Sequence, residues 1–90
     1  MSAGDLMMGM RRHNVAPNEL KPGDYSRWAE DDNNWYACCP GPDDLTANLS
    51  SHTVTEHENG TITVSPSILV KGGQGKQWHG WLERGQWREA

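Results

Sequence analysis

The chain has 90 residues and a formal net charge of −4 at pH 7, so it forms one small domain at most. The acidic balance argues against nucleic-acid binding, which favours a basic stripe, and no apolar run approaches the roughly 20 residues that span a bilayer. Aliphatic residues are few, with six Leu, two Ile and four Val, but five Trp, two Tyr and four Met add apolar surface. One aromatic side chain can bury about 150–250 Å², so we expect the tryptophans to form much of the core.

Residues 1–16 are predicted to form an N-terminal arm or a short helix. Leu6, Met7 and Met10 fall at helical spacing, although nearby glycines weaken a helix. The folded domain is predicted to span residues 17–90 and to be mostly β, built from antiparallel hairpins.

The first half of this domain contains two predicted strands. Pro22-Gly23 is typical of a type II turn, and a strand is expected to follow at Tyr25–Trp28. A second strand, WYACC at residues 35–39, stops at Pro-Gly-Pro. The polar residues 43–51 could hold one helical turn.

The second half predicts two hairpins. Asn59-Gly60 joins two alternating β-branched runs, which is the strongest short hairpin signal in the chain. Ser65-Pro66-Ser67 interrupts the second run before a short apolar strand at residues 68–70. A glycine-rich loop then leads to a closing hairpin with a three-residue turn at residues 83–85. Alternation places Trp78, Gly80 and Leu82 on one face of this hairpin and His79 and Trp81 on the other.

Four segments carry a family resemblance: PNELKPG, WYACCPG, GTITVSPSILV and WHGWLERGQW. Together they resemble a family of small uncharacterised bacterial and bacteriophage proteins with a β-rich, zinc-ribbon-like module. The versions from phages of actinobacteria are the most similar. The resemblance implies a metal site made from knuckle cysteines and a histidine in the last hairpin, which Cys38, Cys39 and His79 match here. This sequence departs from the family pattern at one point, since Lys76 stands near the position where the family has a cysteine.

Zinc is the one cofactor that the sequence suggests, with the ligands Cys38, Cys39, His52 and His79 and with His57 as an alternative to Cys38. Structural zinc usually takes cysteines or histidines paired at a spacing of two to four residues, and adjacent residues on a strand point to opposite faces. The favoured alternative is therefore that no metal binds and that the cysteines are small buried hydrophobic residues.

The sequence shows no complete catalytic constellation, so we predict a non-catalytic phage accessory protein that binds another protein or itself, in the host cytoplasm or in the phage particle. Two alternatives remain open. One is a zinc-ribbon-like structural or regulatory module, and the other is an enzyme with a cysteine nucleophile and His79 as its base. Trp and Arg are enriched at binding hot spots, and the predicted partner-binding residues are Trp78, Trp81, Arg84, Trp87, Leu6, Met7, Met8 and Met10.

Overall fold

A computed structural model describes residues 6–90. In this part of the chain, nine strands form two sheets and run in the order β1 (Leu6–Met8), β2 (Met10–Arg11), β3 (Asp24–Trp28), β4 (Asn34–Cys38), β5 (Thr46–Asn48), β6 (Thr53–Glu56), β7 (Ile62–Lys71), β8 (Gln77–Glu83) and β9 (Gln86–Glu89). Short 3-10 turns lie at Pro17–Glu19, Ala29–Asp31 and Gly73–Gly75. No helix in residues 6–90 has the length and apolar character needed to cross a bilayer.

The larger sheet has the strand order β1-β9-β8-β7-β6, and the smaller sheet has the order β2-β3-β4-β5. All neighbouring strands are antiparallel except β2 and β3, which are parallel. The prediction of a small, mostly β domain with antiparallel pairing is therefore confirmed. Its zinc-ribbon-like character is not shown.

The N-terminal segment takes part in both sheets. β1 pairs with β9, and β2 pairs with β3, so residues 6–8 and 10–11 form strands and not the helix that was one of the two expectations. The chain passes between the sheets at Gly9, whose backbone N–H donates to the carbonyl of Gly85 at 2.7 Å. Residues 1–5 of the predicted arm lie outside the described residues.

The core lies between the two sheets, and tryptophan contributes to it as expected. Trp87 is 1% exposed and meets Trp78 edge to face, with ring centroids 5.3 Å apart. The indole N–H of Trp87 donates to the carbonyl of Gly23 at 3.0 Å, so one buried side chain ties the larger sheet to the turn that precedes β3. The other fully buried large side chains are Tyr25, Leu49, Ile62, Ile68 and Leu82.

Two local predictions were wrong. Residues 43–51 contain strand β5 and not a helical turn, because Ala47 and Leu49 alternate inward and are buried while Ala47 pairs with Ala37 of β4. The closing hairpin turns through two residues and not three, since Glu83 pairs with Gln86. Arg84 and Gly85 both have positive φ angles, as a type I′ turn requires.

Candidate active site

An irregularity in strand β7 defines the site. Val64 pairs with Leu82 and Ile68 pairs with Gly80, so Ser65, Pro66 and Ser67 lie opposite the single residue Trp81. Bulges of this kind bend a strand, and they occur often beside active sites because they redirect a side chain. The Ser-Pro-Ser segment was predicted to interrupt the strand, and in the structure β7 continues through it.

The bulge brings Ser67 next to His79 of β8. His79 Nε2 lies 3.1 Å from Ser67 Oγ, which is hydrogen-bonding distance. When Nδ1 carries the imidazole proton, Nε2 is unprotonated and accepts a hydrogen bond from the Ser67 hydroxyl. This is the relationship of a serine nucleophile to its general base.

Both side chains lie on the outer face of the larger sheet. Ile68 is fully buried and Leu69 is 52% exposed, so β7 alternates between the core and the outer face from this point onward. Leu69 lies directly opposite His79 in the β7–β8 register. Ser67 is partly buried and His79 is exposed, so this face of the sheet is open to solvent at the pair.

An aromatic side chain flanks the imidazole. The Trp81 ring lies 5.8 Å from the His79 ring at an angle of 37°, and the Arg88 guanidinium lies 4.3 Å above the centre of the Trp81 ring. Within residues 6–90, His79 Nδ1 has no hydrogen-bond partner. The neighbouring Trp81 ring and the hydrogen bond to Ser67 are therefore the contacts that can limit the orientation of the imidazole within residues 6–90.

A second histidine contacts the backbone of the same serine. His52 lies just before β6, and its Nε2 is 3.2 Å from the backbone carbonyl oxygen of Ser67. Its Nδ1 is buried and has no hydrogen-bond partner among the described residues. His52 and His79 thus both contact Ser67, one at the backbone and the other at the hydroxyl.

The four predicted zinc ligands do not form one cluster. Cys38 ends β4 in the smaller sheet, Cys39 follows it, and both are free and buried, whereas His52 and His79 lie at Ser67. The alternative ligand His57 has its Nε2 2.6 Å from Thr63 Oγ1. Residues 6–90 contain no group of three or more His, Cys, Asp or Glu side chains that could hold a metal ion, so zinc binding stays a prediction without a ligand cluster to support it.

The cysteines are also poorly suited to nucleophilic chemistry. Burial raises the pKa of the Cys39 thiol to about 12, and the neighbouring Cys38 adds to the increase. Burial likewise raises the pKa of Cys38. A thiol reacts through its thiolate, so these raised pKa values argue against the alternative of a cysteine enzyme.

The residues predicted to bind a partner occupy different environments. Trp78 and Trp87 are 6% and 1% exposed, so these two belong to the core and do not form a contact surface. Trp81 is partly buried and Arg84 is exposed. The other residues predicted to bind a partner are exposed on β1 and β2, and they are Leu6, Met7, Met8 and Met10.

Ser67 is not among the site residues predicted from the sequence, although its neighbourhood carries a signal. A Ser-Pro-Ser segment between two apolar runs, followed by His79, was present in the sequence. A proline inside an otherwise regular strand indicates a bulge or an edge, and bulges occur often beside active sites. Only the register of β7 and β8 shows that His79 reaches it.

A family model described as "Bacterial ubiquitination-like system serine protease (BubE)" matches residues 12–90. No curated protein and no solved structure matches the chain. The match shows that the resemblance to a phage or zinc-ribbon-like family was wrong, and with it the predictions of a phage accessory protein, a virion component and a non-catalytic role. Membership of such a system implies protein partners, as predicted. It gives no support to the predicted location in a phage particle. The chain belongs to the bacterial ubiquitination-like system serine protease (BubE) family.

Proposed function

We propose that this chain is a serine protease in which Ser67 is the nucleophile and His79 is the general base. The observation that carries the proposal is the 3.1 Å separation between Ser67 Oγ and His79 Nε2. Two further facts support it: the pair lies on a face that a substrate can reach, and the chain belongs to a family described as serine proteases.

The reaction would begin with attack of Ser67 Oγ on the carbonyl carbon of the scissile bond. His79 Nε2 takes the hydroxyl proton as the new C–O bond forms and then donates that proton to the leaving amine as the C–N bond breaks. A water molecule next attacks the acyl-serine, with His79 again accepting a proton. Release of the carboxylic acid restores the Ser67 hydroxyl.

The open position of the pair favours a protein substrate over a small molecule. Ser67 and His79 lie on the outer face of a sheet, with the exposed Leu69 directly across from His79. An extended segment of a protein could lie across this face, and apolar side chains near its scissile bond could contact Leu69 and Trp81. Together with the family description, this arrangement supports a protein component of the ubiquitination-like system as the substrate.

The direct test compares two serines of the same bulge. The purified protein, a Ser67→Ala variant and a Ser65→Ala variant are each incubated with the proteins of the system, and intact masses are recorded over time. Ser65 is exposed and lies two residues from Ser67, so it is a matched control. We expect cleavage by the wild type and by Ser65→Ala but not by Ser67→Ala, and equal cleavage by both variants would refute the proposal.

A further inference from the structure

The backbone of Ser67 lies where β7 has lost its partner on one side. The last pair between β6 and β7 is Thr53 with Ser65, so β6 ends before the chain reaches Ser67. Beyond that point, β8 is the one strand within residues 6–90 that pairs with β7.

The carbonyl of Ser67 points to the side that β6 has left. The carbonyl of His79 accepts a hydrogen bond from the Ala90 N–H at 2.9 Å, so the backbone groups of His79 face β9. Because these groups alternate in direction along an antiparallel strand, those of the next residue, Gly80, face β7 and its partner Ile68. The backbone groups of Ser67, which precedes Ile68, therefore face away from β8.

His52 supplies the missing partner. Its Nε2 lies 3.2 Å from the Ser67 carbonyl oxygen, and because a carbonyl only accepts hydrogen bonds, Nε2 must carry the proton. The other ring nitrogen is buried without a partner in the described residues. An unsatisfied buried polar atom costs free energy, so an apolar ring at position 52 would avoid that cost.

From these contacts we infer that His52 is a positioning residue for the nucleophile, a role that rests on the proposed function of Ser67. The Nε2–H of His52 holds the Ser67 carbonyl, which fixes the backbone of the bulge and keeps Ser67 Oγ within reach of His79. His52 thereby replaces the backbone hydrogen bond that β6 would have supplied had it continued. It does not contact the hydroxyl itself.

The test measures how fast a fluorophosphonate probe labels Ser67. Such a probe forms a bond between Ser67 Oγ and phosphorus with loss of fluoride, and the hydroxyl proton passes to His79, so its rate reports the activation of the serine without a known substrate. The variants are His52→Phe, which keeps a ring without a donor, and His52→Gln, whose amide nitrogen can stand near the position of Nε2. His57→Phe is the matched control, since His57 also flanks β6 and hydrogen-bonds to Thr63 of β7.

We expect His52→Phe to lower the labelling rate by roughly 10- to 100-fold, because small displacements of a reacting group have effects of this size. His52→Gln should recover most of the rate, and His57→Phe should keep it. If His52 only stabilised the fold, the labelling rate of the folded variants would not depend on whether residue 52 carries a hydrogen-bond donor. Labelling of the folded His52→Phe protein at the wild-type rate would overturn the inference.

A second pair of variants covers the case in which His52→Phe does not fold. His52→Asn places its amide too close to the main chain to reach the Ser67 carbonyl, whereas His52→Gln can reach it. A faster rate for Gln than for Asn supports the role of His52, and equal rates overturn it. Absence of Ser67 labelling in the wild type would instead refute the proposed function, and the role of His52 with it.

Discussion

His79 Nε2 lies 3.1 Å from Ser67 Oγ across the hairpin of β7 and β8, although the two residues are 12 apart in sequence. The register of this hairpin pairs Leu69 with His79. Ser67 belongs to the bulge immediately before Ile68. The chemistry of the site therefore depends on how two strands pair, and it is absent from any short stretch of the chain.

Replacement of His79 by Ala should remove the general base and leave the fold intact. We expect the rate of substrate cleavage to fall by about 10²- to 10⁴-fold, which is the usual contribution of a positioned base. The His79 side chain is exposed, so the urea midpoint of unfolding should stay close to the wild-type value. The control is His13→Ala, another exposed histidine, which should keep full activity. Equal activity of the two variants would contradict the assignment of the base.

Replacement of Trp81 by Ala should weaken catalysis without abolishing it. The Trp81 ring lies beside His79 and beneath Arg88, so its loss frees the imidazole to leave the orientation that faces Ser67. We expect a reduction of roughly 10-fold in the rate of fluorophosphonate labelling, and Trp81→Phe should lie between Ala and the wild type. An unchanged rate in folded Trp81→Ala would show that the indole does not orient the base.

Replacement of Gly9 by Ala should destabilise the protein. A Cβ atom there would lie 2.7 Å from Trp87 Nε1 and 2.8 Å from the carbonyl oxygen of Gly23, so it would disturb the hydrogen bond between these two groups. Overpacking of this kind costs about 1–3 kcal/mol, measured as a lower free energy of unfolding in urea. The matched control is Gly73→Ala, since a Cβ at Gly73 meets nothing within 4 Å. Equal free energies of unfolding for Gly9→Ala and Gly73→Ala would refute the close packing at Gly9, where the chain passes between the sheets.

The two thiols should be inert in the folded protein. Burial raises the pKa of the Cys39 thiol to about 12, so very little thiolate forms at pH 8, and burial also limits access of the reagent. We expect iodoacetamide to modify the native protein far more slowly than the urea-unfolded protein. Cys38→Ala should retain protease activity. Fast alkylation of the native protein together with loss of activity would revive the cysteine mechanism.

Much of the fold could be predicted from local patterns. Asn59-Gly60 predicted the hairpin of β6 and β7, and alternation predicted that His79 and Trp81 share a face opposite Trp78. The strands β1 and β2 were missed because they span three and two residues and their side chains are largely exposed. Their pairing with β9 and β3 depends on contacts distant in sequence, which no local pattern records.

The candidate site could be predicted only in part. His52 and His79 were both selected from the sequence, but as zinc ligands together with Cys38 and Cys39. Cys38 ends β4 in the smaller sheet, Cys39 follows it, and both are buried, whereas the two histidines contact Ser67. Periodicity assigns residues to faces of one strand, but it does not determine which strands are neighbours or where a bulge shifts their register.

The measurement that tests the central claim most directly is mass-spectrometric mapping of the fluorophosphonate adduct on the native protein. We predict one adduct per chain, located on Ser67 by fragmentation that separates it from Ser65, absent from the Ser67→Ala variant and strongly reduced in His79→Ala. An adduct on a different residue, or no adduct on the folded wild-type protein, would contradict the assignment of Ser67 as the nucleophile.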